Sequence, residues 1–188
     1  MQRPLALLLP LPLDIKVHDR DSFCSGVSEL DQFLKLRARK EAEQNLNKTF
    51  VLCPKENPSE IAGYYTLSNK QINTSDLPDA VTKKLPRYKS IGATLLGRLA
   101  VTEKFQSANC PGQHIGAMLL NDAKLRAWNA SKSVGSFALI VDVLVGEKGD
   151  PTNFYIKYDF VRFPEDRTRL YLPMCSIEKA LRASGLIP

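Results

Sequence analysis

The spacing of apolar residues divides the chain into short strands and helices. In the middle of the chain, residues 94–101 form an apolar run with the length of a buried strand. From residue 115 onward, apolar residues recur every fourth position with charged residues between them, which predicts a helix. These positions are Ile115, Leu119, Ala123 and Ala127. Residues 137–145 are almost entirely apolar, which is typical of a strand covered on both faces, as in a parallel pair.

The same patterns, separated by turn residues, predict the other elements. Further strands are predicted at 5–9, 49–53, 61–68 (extended by 71–72), 160–163 and 169–172. Helices are predicted at 28–47, 77–85, 152–158 and 176–183, with Ser28 capping the first and either Asp150 or Thr152 capping the third. This order favours a single domain, residues 1–188, of the α/β class. Its expected sheet is mixed and mostly antiparallel, with one central parallel pair and helices on both faces.

Composition and charge narrow the classes of partner and compartment. The net charge of +6 favours polyanionic partners. The four cysteines include no C-x-x-C pair and there are only two histidines, so no metal site is predicted. Such dispersed cysteines are typical of reduced thiols in a cytoplasmic protein. The N-terminal apolar run is broken by Pro10 and Pro12, unlike a signal peptide, and no stretch reaches the roughly 18 apolar residues that span a membrane.

Positive charge gathers in two stretches. Residues 83–98 carry several Lys and Arg residues and no acidic residue, with Tyr88 among them, a combination that suits RNA. The helix predicted at 28–47 carries a second set of cations. Contact with an RNA backbone is predicted for Lys35, Arg39, Lys83, Lys84, Arg87, Lys89 and Arg98. A solvated face is the alternative interpretation of both stretches.

A turn-rich loop with Pro111, Gly112 and Gly116 joins strand 94–101 to the helix that follows. The first N–H groups of a helix lack partners inside it, and the helix dipole places partial positive charge there. The loop and helix start therefore predict a seat for a phosphate or pyrophosphate. An ordinary strand-to-helix turn is the alternative, since neither a Walker loop nor a dinucleotide-binding glycine motif is present.

Seven segments, in order along the chain, carry a resemblance to a known family. They are FCSGVSELDQFL (23–34), GYYTLS (63–68), LPRY (85–88), LGRLAV (96–101), GQHIGAMLLNDA (112–123), NFYIKYDF (153–160) and RLYLPM (169–174). The segments at 96–101 and 112–123 resemble the acetyl-coenzyme A (acetyl-CoA) segment of the GNAT acetyltransferases. The whole set resembles the GNAT toxins of bacterial type II toxin–antitoxin modules.

This resemblance implies a fold, a reaction and partners. The fold would be the GNAT fold, in which the central parallel strands, 94–101 and 137–145, splay apart. The reaction would be acetyl-CoA-dependent N-acetylation of the amino acid on charged tRNA, which blocks translation. The partners would be charged tRNA, a small antitoxin of the ribbon–helix–helix type and a second copy of the chain, in the cytoplasm.

The resemblance also assigns roles to individual residues. Tyr155 is the expected acid that protonates the departing thiolate, with Tyr158 as its rival. The other residues expected to contact acetyl-CoA, through pantetheine or pyrophosphate, are Leu99, Ala100, Val101, Gln106, Gly112, Gln113, His114, Ile115, Gly116, Ala117 and Asn153. No residue stands out as a general base. An α-amino group, with a pKa of about 7.7–8.0 against about 10.4 for lysine, loses its proton with less help.

The chain departs from the family pattern at three places. Residues 107–111 are inserted after Gln106, which puts Pro111 in the first position of the motif. His114 stands where glycine is expected, so it either adds a hydrogen bond to phosphate or narrows the cleft. Asp159 also stands where a glycine is usual. Two alternative functions stay open: acetyl transfer to a small amine or peptide N-terminus, and a degenerate GNAT fold that serves as a binding protein.

Overall fold

The structure is a computed structural model, and it describes residues 6–146 and 148–188. Within these residues the strands are β1 (Leu11–Pro12), β2 (Lys48–Leu52), β3 (Gly63–Asn73), β4 (Ser90–Val101), β5 (Ala138–Asp142), β6 (Val161–Arg162) and β7 (Arg169–Pro173). The α-helices are α1 (Ser28–Gln32), α2 (Ala38–Glu43), α3 (Asp79–Thr82), α4 (Ile115–Ser131), α5 (Thr152–Lys157) and α6 (Met174–Ala183), and short 3₁₀ turns occupy Thr74–Asp76 and Glu103–Phe105. The strands form a seven-stranded sheet in the order β1-β2-β3-β4-β5-β7-β6. The chain divides into two compact units, which are described in turn.

The first unit contains Met1–Ser68 and Gly97–Ala123. Here β1, β2 and the first half of β3 pair antiparallel, so the predicted hairpin is confirmed. The strand predicted at 5–9 is not confirmed. Leu5 lies outside the described residues, Leu7 makes an isolated bridge with Pro54, and the strand at this edge is β1, further along the chain.

The helix predicted over 28–47 is interrupted by a π-helical turn. α1 begins at Ser28, the turn occupies Phe33–Arg37, and α2 ends at Glu43. Arg20 lies against this turn, where its Nη1 donates to the carbonyl of Lys35 at 2.9 Å and lies 3.4 Å from that of Leu34. A π-turn disturbs the regular ladder of helical hydrogen bonds. Arg20 therefore supplies a donor to carbonyl groups in this disturbed part of the helix.

The prediction that Ser28 caps this helix is wrong. Ser28 is the first helical residue, and the residue before it, Val27, has no side chain that could accept a hydrogen bond from the helix. The turn into the helix is held instead by the Asp31 carboxylate. It accepts from the backbone N–H of Ser25 at 2.8 Å and from the Ser25 hydroxyl at 2.6 Å.

The second unit contains Asn69–Leu96 and Lys124–Pro188. β4 and β5 pair in parallel over 94–96 and 139–141, as the apolar runs predicted. β5 pairs antiparallel with β7, which pairs antiparallel with β6. Apolar side chains from the second half of β3, from β4, β5 and β7, and from the segments beside α3 and β6 form a core cluster in this unit: Ile72, Leu77, Ala93, Ala138, Ile140, Phe163 and Tyr171. The prediction of a mixed, mostly antiparallel α/β sheet with one parallel pair is confirmed, whereas the single-domain organisation stays a prediction.

Candidate active site

In the first unit, the loop after β4 is held at its base by Gln106. The Gln106 side-chain amide donates to the carbonyl of Val101 and to that of Ser25, each at 3.0 Å. The backbone carbonyl of Gln106 accepts from the N–H of Cys110 at 2.8 Å, which folds the inserted residues into a turn. Gln106 is therefore occupied with bracing the loop. Its predicted contact with a coenzyme stays a prediction.

The start of α4 offers unpartnered donors. Gly112 precedes it with a φ of +83°, a conformation that favours glycine. Within the described residues, the N–H groups of His114, Ile115, Gly116 and Ala117 have no hydrogen-bond partner, and the helical ladder begins when Met118 donates to His114 at 3.0 Å. The prediction that the helix begins at Ile115 is confirmed. The helix start therefore has the donors that an anion seat requires.

Gly63 allows α4 to lie close to the sheet. A Cβ atom at this position would come within 2.8 Å of both the Ala100 carbonyl oxygen and the Leu119 Cδ1. It would also lie 3.4 Å from Ile115 Cγ2. The absent side chain thus lets β3, the end of β4 and the first turns of α4 pack against one another. Farther along α4, the Tyr65 hydroxyl donates to the Asp122 carboxylate. Sequence reasoning missed Gly63, although a glycine at the start of a strand is a signal of close backbone approach.

The strand residues predicted to pair with pantetheine, Leu99 to Val101, end β4 in the same unit as this helix start. Ala100 is buried, while Leu99 and Val101 are half-buried. His114 is exposed. Among the described non-glycine residues, positive φ occurs at Asn45 and Asp159, so His114 has an ordinary backbone conformation.

In the second unit, Tyr155 lies inside an aromatic cluster. Its ring meets Phe154 edge-on at 5.1 Å and Phe160 at 5.6 Å between ring centroids, and only 6% of the residue is exposed. Burial raises the pKa of Tyr155 well above its ordinary value, which keeps the hydroxyl protonated. That hydroxyl has no hydrogen-bond partner among the described residues. The Tyr155 hydroxyl is therefore a neutral hydrogen-bond donor without an acceptor among the described residues.

The helix that carries Tyr155 is held at both ends. At its start, Pro151 occupies the cap position, so neither Asp150 nor Thr152 is the cap as predicted, but the Asp150 carboxylate accepts from the Thr152 N–H at 2.8 Å. At its end, Asp159 takes a φ of +69°, and the half-buried Lys124 donates to the Tyr158 carbonyl at 3.1 Å. Burial lowers the pKa of Lys124, and the charge of Asp159 opposes that shift. Asn153 is exposed near the start of the helix. The sequence carried no signal for Lys124, because its partner lies 34 residues away.

The predicted RNA-contacting residues differ in their surroundings. Lys83, Lys84, Arg87 and Lys89 are exposed. Arg39 is exposed but pairs with Glu43 at 2.7 Å, and Lys35 is half-buried. The Arg98 guanidinium lies 3.8 Å above the ring of buried Phe33, an interaction that occupies its flat face. The cations at 83–89 are thus the freest of the predicted set.

Two further findings concern metals and membranes. Among the described residues, no group of three or more His, Cys, Asp or Glu side chains is arranged to hold a metal ion. In the same part of the chain, no helix has both the length and the apolar character required to cross a membrane.

Comparison with known proteins places the chain in a family. No protein-family model matches it. A tRNA-acetylating toxin of Mycobacterium tuberculosis is 33% identical over 156 residues, which cover 83% of this chain and 86% of that protein. The chain belongs to the GNAT toxins. A probable toxin TacT of Sinorhizobium fredii is 25% identical over 174 residues, or 90% of this chain and 93% of the relative.

Solved structures of GNAT toxins share the fold over nearly the whole chain. The toxin AtaT, in complex with acetyl-methionyl-tRNAfMet, matches with a TM-score of 0.80 and 29% identity, over 93% of this chain and 99% of AtaT. A tyrosine-to-phenylalanine mutant of AtaT, bound to acetyl-CoA and the C-terminus of the antitoxin AtaR, matches with a TM-score of 0.73 and 26% identity. That match covers 93% of this chain and 98% of the mutant.

Proposed function

We propose that this GNAT toxin transfers the acetyl group of acetyl-CoA to the α-amino group of the amino acid on charged tRNA, and so blocks translation. The observation that carries the proposal is Tyr155. It is a buried tyrosine, held protonated, whose hydroxyl has no partner among the described residues. The hydroxyl oxygen is not one of the buried polar side-chain atoms that lack a partner among the described residues, so it is open to a substrate although its ring is buried. An unused neutral donor is what an acyl transfer from a thioester requires of its acid.

The first unit supplies groups that fit the coenzyme. The N–H groups of residues 114–117 have no partner in the described chain, so they are free to receive pyrophosphate oxygens. Gly112 has a positive φ, and a Cβ added to it would meet nothing within 4 Å, so there is room for a ligand beside the loop. The end of β4, from Leu99 to Val101, would pair with the pantetheine arm. Gln113 would add a polar contact, and the family resemblance assigns another to Asn153 of the second unit.

The reaction requires few side chains. Bound acetyl-CoA supplies the acetyl group as a thioester. The neutral amine would attack the thioester carbonyl and the C–S bond would break. Tyr155 would give its proton to the departing sulfur, and the surplus proton on the new amide nitrogen would pass to the Tyr155 oxygen or to solvent. The aromatic cluster around its ring keeps the Tyr155 hydroxyl in place. No base has to be assigned in the protein, because an α-amine with a pKa of about 7.7–8.0 is partly neutral near pH 7.

Partners and compartment belong to the same proposal. The bound antitoxin of the AtaT relative supports an antitoxin for this chain, and we infer one of the ribbon–helix–helix type. A homodimer, a cytoplasmic location and a single GNAT domain over 1–188 complete the proposal. Each follows from the family resemblance.

The deciding experiment follows labelled acetyl groups from acetyl-CoA into bulk charged tRNA, with uncharged tRNA and free amino acids as controls. Label on charged tRNA alone is the expected result. Label on free amines or peptides but not on charged tRNA would favour the small-amine alternative. No label, together with no binding of acetyl-CoA in calorimetry, would favour a degenerate fold that serves as a binding protein.

A further inference from the structure

The loop between α3 and β4 carries an exposed aromatic ring and, close to it in sequence, several exposed cations. Tyr88 is 64% exposed, which is unusual for so large an apolar ring. Its cationic neighbours Lys83, Lys84, Arg87 and Lys89 are exposed as well. Within the described residues none of these four forms an ion pair. We call Tyr88 and these four cations the Tyr88 surface.

The backbone beneath the Tyr88 surface is fixed from the interior of the unit. The buried Thr74 donates its hydroxyl to the Tyr88 carbonyl at 2.6 Å and its N–H to the Lys89 carbonyl at 3.0 Å. The Tyr88 N–H donates to the Pro86 carbonyl at 2.7 Å. Thr82 in turn donates its hydroxyl to the Thr74 carbonyl at 3.2 Å. The exposed ring therefore projects from a braced loop, which lowers the entropy lost when a ligand covers it.

We propose that the Tyr88 surface binds an unpaired nucleotide of the tRNA substrate, with the Tyr88 ring stacked on the base and the cations contacting the flanking phosphates. Proteins that bind single-stranded RNA combine these two elements, an exposed aromatic face and a basic groove. An acidic peptide would use the cations but has no flat partner for the ring. This inference rests on the proposed function for the identity of its ligand.

The test measures binding of uncharged tRNA, by fluorescence anisotropy at several salt concentrations, to the wild type and to variants. Tyr88→Ala should weaken binding about tenfold, since stacking on an aromatic ring contributes about 1–3 kcal/mol per base. Tyr88→Phe keeps the ring and should stay within about twofold of the wild type. Lys83→Gln and Lys84→Gln should each lower the slope of log affinity against log salt by about 1. Thermal unfolding and acetyl-CoA binding should be unchanged in all four.

Binding of uncharged tRNA is independent of acetyl transfer, so the two proposals fail separately. If the wild type acetylates charged tRNA and Tyr88→Ala binds tRNA as tightly as the wild type, the stacking proposal is overturned and the reaction stands. If no acetylation occurs but tRNA binding depends on the Tyr88 ring, the surface stands. If Tyr88→Ala weakens binding of a poly-glutamate peptide and not of tRNA, the surface serves an acidic protein partner and the proposal is wrong.

Discussion

Two positions in this chain carry a side chain where the family pattern has glycine, and their backbone conformations differ. His114, at the start of α4, is exposed and has an ordinary backbone conformation. Asp159, after α5, takes a φ of +69°, where a side chain is strained by about 1 kcal/mol or more. A glycine missing from a motif therefore matters only if the backbone at that position still requires it.

The two surroundings explain the difference. In the loop before α4, Gly112 carries the positive φ, so the conformation that requires glycine lies two residues before His114. In the turn after α5, Asp159 itself has the positive φ. Lys124 stabilises this turn by a hydrogen bond to the Tyr158 carbonyl, and its positive charge is opposite to that of Asp159. The proposed coenzyme seat in the first unit is thus built mainly from backbone, whereas the surroundings of Tyr155, the proposed acid in the second unit, are built from side chains.

The largest effect is expected where a side chain carries the chemistry. Tyr155→Phe keeps the ring in its aromatic cluster and removes the proton donor, so kcat should fall by about 10²–10⁴, the usual contribution of a general acid. Acetyl-CoA affinity should stay within about twofold, because the backbone seat is untouched. Single-turnover kinetics and calorimetry measure the two quantities. An unchanged kcat would assign the acid role to another residue. Tyr158→Phe, at the residue directly after α5, is the matched variant that tests the rival.

At the proposed coenzyme seat, where backbone groups would make the contacts, coenzyme affinity should fall most when a substitution moves the backbone. Gly63→Ala would place a methyl group within 2.8 Å of the Ala100 oxygen and of the Leu119 Cδ1, so the backbone at the end of β4 must shift, whereas the Leu119 side chain can turn away. Overpacking of this kind typically costs about 1–3 kcal/mol. Acetyl-CoA affinity should fall about tenfold, or roughly 1.4 kcal/mol. The control is Gly135→Ala, whose added Cβ meets nothing within 4 Å. Equal thermal unfolding and equal coenzyme affinity in both variants would contradict the close-packing argument.

The sequence could predict the elements around both proposed sites, but it could not predict their backbone angles or their long-range polar contacts. The start of α4 and the parallel strand pair followed from apolar spacing, because local periodicity reflects burial directly. The backbone conformations at His114 and Asp159 did not, since φ depends on how each turn closes. Nor did the contacts of Arg20 with the π-turn and of Lys124 with Tyr158. These polar contacts join residues that are distant in sequence, and no short motif marks them.

A smaller effect is expected from removing the contact of Lys124 with the turn after α5. Lys124→Met keeps the length of the side chain but removes the donor to Tyr158 and the charge facing Asp159, so kcat should fall about threefold to tenfold while the KM for acetyl-CoA holds. Asp159→Gly should be almost neutral alone, because glycine adopts positive φ without strain.

The double variant decides whether Lys124 acts as a positioning residue through this turn. With glycine at 159 the strain and the uncompensated charge both disappear, so Lys124→Met with Asp159→Gly should recover most of the lost kcat. A double variant as slow as Lys124→Met alone would show that Lys124 acts elsewhere. Thermal unfolding of all three variants separates positioning from a general loss of stability.

The smallest effect is expected at His114, the other position where the family pattern has glycine. His114→Gly should change acetyl-CoA affinity by about twofold or less, since substitutions at exposed positions usually alter free energies by no more than about 0.5 kcal/mol. Gly112→Ala is the matched change. It forces a Cβ into a φ of +83° and should weaken binding more than the change at His114 does. Calorimetry with acetyl-CoA resolves both alternatives for His114. A clear gain in affinity would mean that its ring narrows the cleft, and a clear loss would mean that it hydrogen-bonds to phosphate.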